Sequence, residues 1–509
     1  MIRKYVLLVL VLGIALRLFI SHDYNFIFNM DNARDMVDVR EMAVLQKPRL
    51  IGPTTAIEGF YNGPGWYYLL LVPFILTGGD PYGAILMEII LWAIGGYFLL
   101  TLVSKYYGKL AFLAVSIIWV ASNFILLATQ YAFNPNPVIL LTPAIIFYLI
   151  KYLETGKLKY SVITWFLAGI FLHFEIAAAL FLPVVIILII LLNKKKSYFR
   201  KKAFGWGLVA FGTTLLPQLF FDLRNNFQLS RSLLAYRSGT HGGVDLNPLV
   251  RLQEILQSFY DTLLPTLMNF QIFQNVILIL FGAIVLFLVR KKQKIDLLSQ
   301  ICILMIVVFV VINIPLRIDL MRWHLNTILV AAIILIGFTI SFLNKTNLVG
   351  KLTAFLLVIM LLGFALGNVK EYINVAQKGD PGNSIINNEL SAINYTYQEA
   401  GGKNFKVYAY LPSVIDYPYQ YLYWWRGLKT YGYLPEEYAY LPDKPEYIKQ
   451  KARLNTGTNP ESSGLTFLIK EPEEGRRHLW ENSFKNLELL KIATFGAITV
   501  ETRKAPTAD

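Results

Sequence analysis

The chain has 509 residues, of which 55% are hydrophobic and only 16% charged, with a mean hydropathy of +0.49; that apolar excess is too large for a water-soluble core and excludes a soluble globular protein. The net charge of +14 sits mostly in short loops between apolar stretches, as membrane orientation dictates, so no nucleic-acid partner is expected. The single cysteine, Cys302, lies inside an apolar stretch, which leaves no disulfide framework and no thiolate metal cluster to build on.

Arg3 and Lys4 precede an apolar run over residues 5–20 that lacks a small-x-small cleavage pattern after it, so it reads as a retained anchor whose N-terminus is cytoplasmic. From that start, one topology puts every basic cluster on the same side. Residues 22–80 form a long external loop with two amphipathic pieces, 31–46 and 58–76. Spans then follow at 82–103, 111–130 and 138–152, and a pair of short spans bends outside near His173-Phe174-Glu175. The strongest basic run, 194–202, lies inside, followed by a span at 204–221, an external loop with a surface helix at 248–264, and a span ending at Arg290. The last three spans are expected at 295–314, 323–342 and 348–368.

The expected architecture is a polytopic α-helical protein of the cell (cytoplasmic) membrane. It has about eleven transmembrane helices of about 20 residues each, with external surface helices, over residues 1–368. Residues 369–509 form a C-terminal extracytoplasmic α/β domain, with strands expected at 403–410, 465–469 and 497–501 and helices at 436–451 and 474–482.

In the first surface piece, Asp31, Arg34, Asp35, Asp38 and Glu41 fall on one helical stripe. Asp31 in the first turn complements the helix dipole, and Arg34 and Asp35 share its face. A solvated charged face accounts for the pattern equally well. The second piece runs Glu58-Gly59-Phe60-Tyr61-Asn62-Gly63-Pro64-Gly65-Trp66-Tyr67-Tyr68, a turn followed by aromatics suited to a membrane interface.

This order (a first span, an external Asp-x-x-Arg surface helix, a Gly-Pro-aromatic second helix, more spans and an outer C-terminal domain) resembles the GT-C integral membrane glycosyltransferases. The likeness is to the protein O-mannosyltransferase and aminoarabinose transferase type (glycosyltransferase family 39). The resemblance implies that Asp31 is the catalytic residue and that Arg34 serves the lipid-phosphate leaving group. Two departures are visible. Asn62-Gly63-Pro64 stands where many relatives carry His or Glu before the proline, which weakens a metal role there, and Asn32 replaces a second acid.

A sugar on a polyprenyl phosphate needs a base for the acceptor hydroxyl, cations for the departing phosphate and an apolar groove for the prenyl tail. Asp31 is the candidate base. Arg34, with Arg224, Arg237 and Arg322 from other external loops, supplies candidate phosphate donors, although arginines at span ends also snorkel. Asp35, Glu58, Asn62, Tyr67, His173, Glu175 and His324 are candidate cavity-lining residues, since ionisable groups at membrane depth serve function or pairing. No cofactor is expected: no second histidine stands at ligand spacing, so a divalent metal is possible but not indicated. The aromatic run 417–426 suits either sugar stacking or the core of the outer domain.

The expected function is inverting, Asp-assisted transfer of a monosaccharide from a polyprenyl-phosphate donor in the membrane lipid to an extracytoplasmic lipid, glycan or protein acceptor. The alternative is a transporter or flippase of lipid-linked glycans, which should show related halves and interrupted spans at matching positions; the sequence shows neither.

Overall fold

The structure is a computed structural model describing residues 2–193, 201–238, 247–263, 271–316, 320–411, 413, 415–442, 451–472 and 475–506. The first helix, α1 (Ile2–Ile20), ends in a short 3-10 turn, His22–Tyr24. The first surface piece is α2 (Met30–Val44), capped by Asn29, whose side chain accepts the Asp31 N–H at 3.0 Å. Because Asn29 takes the capping role, the Asp31 carboxylate is left for other partners. The second piece is α3 (Gly65–Thr77), stopped by Gly78 in the left-handed region.

The helix α4 (Tyr82–Ala121) is 40 residues long but breaks at Gly108, with φ 82° and ψ −167°. Trp92 and Trp119 donate their indole N–H groups to each other's carbonyls, at 3.0 and 3.3 Å. Such reciprocal bonds across 27 residues require the chain to double back at Gly108, since an unbroken helix would hold the two residues about 40 Å apart. Two spans are thus joined at the basic turn the sequence marks. The chain continues through α5 (Asn123–Leu127), α6 (Asn136–Thr155), α7 (Leu158–Phe171), α8 (Ile176–Ala179) and α9 (Leu182–Leu192). After it come α10 (Lys201–Arg224), α11 (Gln228–Ser238), α12 (Pro248–Ser258), α13 (Gln271–Arg290), α14 (Leu297–Asn313), α15 (Asn326–Asn344) and α16 (Leu348–Lys378).

Among the described residues six helices are long and apolar enough to cross a membrane, and the protein is a multi-pass membrane protein. The stretch Arg322–Asn344 is mostly buried and forms the centre of the bundle against α4 and α6, whereas Lys202–Arg224 is mostly not buried and turns its apolar surface to lipid. The last span runs to Lys378, ten residues beyond its expected end at 368, so it carries the chain up to the outer domain as one rod.

The outer unit opens with α17 (Ile386–Glu399) and holds a five-stranded sheet of order β2-β1-β3-β5-β4. The strands are β1 (Asn404–Tyr410), β2 (Glu437–Ala439), β3 (Ser462–Lys470), β4 (Glu488–Phe495) and β5 (Ile498–Lys504). Pairing is parallel in β2-β1-β3 and antiparallel in β3-β5-β4, with Val407 opposite Phe467 and Leu468 opposite Glu501. The helix expected at 436–451 begins instead as β2: alternating Glu437-Tyr438-Ala439 buries Tyr438 alone and pairs it with Val407. Residues 443–450 of that expectation lie outside the described residues, and Lys451–Leu454 forms one helical turn, α19. Near the expected 474–482 helix the chain forms α20 (Arg477–Glu481).

The aromatic run is core. Tyr419, Tyr421 and Tyr423 are at most 1% exposed, which leaves their faces no access to a sugar. The short helix that Tyr419 and Tyr421 occupy, α18 (Tyr417–Leu422), packs on α2. Tyr421 donates to the Gly79 carbonyl, and Arg40 of α2 donates to the Gln420 carbonyl at 3.4 Å. The outer unit is further tied down where Phe28 donates to Ser384 (2.8 Å) and Ile386 donates to Phe26 (3.2 Å).

Candidate active site

A cavity of about 780 Å³ lies between α2 and the loop ending at Asn62 on one side and the Arg322–His324 turn on the other. Both Asp31 and Arg34 line it. Arg34 donates through Nη1 to Asp31 Oδ1 at 3.2 Å and through Nε to Asp35 Oδ1 at 2.9 Å, with Thr54 Oγ1 at 3.4 Å. Asp31 remains 37% exposed, so its carboxylate meets the cavity while Arg34 fixes it from the side.

The rest of the charged stripe is tied to protein partners, with Asp38 and Glu41 half-buried. Asp35 is fully buried and accepts the Trp66 indole N–H at 2.8 Å. Asp38 accepts from Tyr67 (2.8 Å) and Arg49 (2.6 Å), and Glu41 from Arg49 (3.1 Å). Helix α2 is therefore zipped along its acidic face to α3 and to the connecting loop, which fixes the roll of the helix that carries Asp31. Burial pushes the Asp35 carboxyl up to about 6, with Arg34 and the Trp66 N–H pulling it down. Burial works against the Arg34 charge, but Asp35, Tyr67 and Asp31 outweigh it and hold that guanidinium above its ordinary range.

On the opposite wall Arg322 lies over the Phe124 ring at 4.2 Å, and its buried Nε has no hydrogen-bond partner. No carboxylate among the described residues lies within salt-bridge distance of Arg322 (the described ion pairs do not include it), whereas Arg34 already has two. His324 accepts the Met321 N–H at Nδ1 (3.1 Å), which leaves Nε2 facing Glu175 Oε1 at 4.0 Å. Glu175 caps α8 through the Ala177 N–H (3.3 Å), and burial pushes its carboxyl up to about 7. Apolar side chains, among them Ile57, Phe60, Leu127, Leu180, Phe181 and Ile312, complete the wall.

The structure thus brings together Asp31, Arg34, Asn62, Glu175, Arg322 and His324. Asp35 and Tyr67 stand behind that set as supports. The expectation that His173 lines the cavity is corrected: its ring accepts the Gly65 N–H at Nδ1 (3.0 Å) and donates to the Thr214 carbonyl at Nε2 (2.7 Å), so both nitrogens are used in fastening α3 to α7 and α10. Glu58 is exposed outside the cavity, and Arg224 is exposed at the end of α10 and does not line it. The side chain of Arg237 lies outside the described residues.

The Asn134-Pro135-Asn136-Pro137 loop is not among the candidate site residues read from the sequence, yet Asn134 and Asn136 line the cavity with Tyr131. Their amides bond the Phe174 and Tyr131 carbonyls. Two asparagines interleaved with prolines at an outer span end were the available signal. Among the described residues no group of three or more His, Cys, Asp or Glu is placed to hold a metal ion.

Fold and site together define a multi-pass membrane protein with a charged, largely apolar cavity and a C-terminal α/β unit. No family model matches the sequence, and no curated protein matches it. Solved structures do match. ArnT from Cupriavidus metallidurans bound to undecaprenyl phosphate is 12% identical, with a TM-score of 0.61 over 99% of both chains. The apo state of ArnT from that organism gives 0.62 at 11% identity over 98% of both. ArnT is an aminoarabinose transferase of the GT-C fold, and at such low identity the likeness is one of fold: this chain has an ArnT-like GT-C fold with a small C-terminal sheet unit.

Proposed function

We propose that this protein is a membrane glycosyltransferase that moves a monosaccharide from a polyprenyl-phosphate donor to a hydroxyl acceptor outside the cell membrane. The observation that carries the reading is one cavity holding the Asp31 carboxylate, the carboxylate-free Arg322 and an apolar wall. In the proposed step Asp31 takes the acceptor hydroxyl proton, and the acceptor oxygen forms a bond to the anomeric carbon. The bond from that carbon to the phosphate oxygen breaks, and its electron pair leaves with the phosphate. A single displacement of this kind inverts the anomeric centre.

Each residue has a physical task. Arg34 holds Asp31 in place rather than meeting the phosphate alone, because Asp31 and Asp35 already balance its charge. Arg322, brought into the cavity without an anion, is the stronger electrostatic match to a phosphate whose charge grows as it leaves. The apolar wall suits the prenyl chain, and the ArnT structure with undecaprenyl phosphate supports a lipid-phosphate donor in this fold. The proposed topology keeps the N-terminus cytoplasmic, with residues 1–368 as the catalytic membrane domain and 369–509 as an extracytoplasmic domain. As written, the displacement draws on side chains alone and takes no cofactor.

The test is release or transfer of radiolabelled sugar from a panel of polyprenyl-phosphate monosaccharides by the full chain in nanodiscs. Asp31→Asn should lower turnover by roughly 10²–10⁴ while donor binding persists. Equal turnover in both proteins would remove Asp31 from the mechanism, and binding without turnover in either would favour translocation of the lipid-linked sugar.

A further inference from the structure

On the far side of Leu127, which lines both spaces, lies a second chamber of about 200 Å³. Its polar walls are Asn25, Asn123, Gln130, Asn368, Tyr372 and the carboxylates of Glu371 and Asp380. Unlike the large cavity it has no lysine or arginine among its lining residues, so it does not suit a phosphate. Tyr372 donates to Asn123 (2.6 Å), and the Asn25 and Asn368 amides donate to the Ile20 and Ala121 carbonyls; the two carboxylates and the Gln130 amide are left as acceptors and a donor for the hydroxyls of a sugar.

The chamber also contains an unsatisfied group. Gln130 is 8% exposed and its amide nitrogen has no hydrogen-bond partner, whereas the nearby Asn134 and Asn136 amides are bonded to carbonyls. A buried amide left this way costs free energy unless a ligand or water meets it.

Access and direction agree with that chemistry. Glu371 and Val375 line both the chamber and an open groove of about 440 Å³ along the last turns of α16, beside Lys370, Asn374 and Lys378. This gives a route from the surface that is separate from the apolar wall of the large cavity. At its inner end the chamber is walled by Ile27, two residues before Asn29, the cap of the helix that carries Asp31.

We propose that this chamber binds one saccharide unit of the acceptor, which reaches Asp31 from the outer groove while the lipid-linked donor occupies the large cavity. The inference rests on the transferase reading of that cavity and deepens it: the acceptor is a glycan or glycolipid headgroup, recognised by hydrogen bonds to its hydroxyls.

The experiment is saturation-transfer NMR of methyl glycosides of glucose and N-acetylglucosamine with the full chain in nanodiscs. Gln130→Leu removes the amide at nearly constant volume, and Val375→Trp fills the mouth of the chamber. Wild type should saturate at least one glycoside, Gln130→Leu should weaken that binding roughly tenfold with an unchanged melting temperature, and Val375→Trp should abolish it. Absence of binding to wild type, or wild-type binding in both variants, overturns the proposal. Donor binding without turnover in either wild type or Asp31→Asn counts against the transferase reading instead, so the two failures are read in different assays.

Discussion

Asp35 carries the pH dependence of the site at the scale of one residue. Its carboxyl titrates near 6 in the fold against an ordinary value of 3.8, so the folded protein binds that proton more readily than the unfolded chain does. The group's contribution to stability is therefore full below about pH 4 and is lost as pH rises through 6. Its effect on Arg34 has the opposite sign, because only the ionised carboxylate holds the guanidinium that fixes Asp31. Turnover should fall on the acid side of pH 6, and Asp35→Asn should erase that limb while raising the melting temperature relative to wild type between pH 4 and 7. An acid limb that survives the substitution assigns it to another group. Arg322 gives a second prediction: Arg322→Ala removes no ion pair among the described residues and should leave the melting temperature near wild type. It should weaken binding of polyprenyl phosphate by roughly 10- to 100-fold, the loss of a hydrogen bond to a charged group. Unchanged affinity would return the phosphate to Arg34. The Asp31–Arg34 contact was legible because residues three apart meet on any helix. That Asp35 faces Trp66 rather than water was not, since it depends on which way α2 rolls.

At the scale of elements, the junction of α3 with α7 and α10 depends on an imidazole pressed against glycines. A Cβ at Gly63 would stand 2.5 Å from His173 Cγ and Nδ1, and one at Gly65 would stand 2.9 Å from His173 Cβ. The ring cannot give way, because both nitrogens are bonded to backbone. Gly63→Ala should cost about 1–3 kcal/mol, read as a lower melting temperature, and should cost markedly less in a His173→Ala background. Simple additivity of the two changes would show that ring and glycine do not press on each other. Sequence pattern located these helices well, since apolar length and basic turns are local properties. It took Gly63-Pro64-Gly65 as a turn and His173 as cavity-facing because the contact joining them spans 108 residues. The same limit hid β2: a three-residue strand is recognisable only beside the β1 edge that it pairs with.

Across the whole molecule, the outer unit and the Asp31 helix are one mechanical assembly. Arg40, 1% exposed, projects from α2 to the Gln420 carbonyl and lies over the Trp424 ring at 5.2 Å. Arg40→Ala should lower stability by about 1–3 kcal/mol, speed proteolytic cleavage of the link at 379–384, and reduce turnover although Arg40 does not line the cavity. Cleavage and turnover like those of wild type would mean that the outer unit is carried passively. The sequence by itself determined the membrane class, the positions of most long helices, the C-terminal α/β unit and the Asp31–Arg34 contact, because hydropathy, charge placement and helical periodicity act over a few turns of chain. Only the tertiary structure decided that Arg322, His324 and Glu175 face Asp31 across one cavity, that His173 and the aromatic run serve packing, and that a second polar chamber adjoins the first. Those outcomes depend on how helices distant in sequence roll and cross, and that is set by close packing summed over the whole bundle.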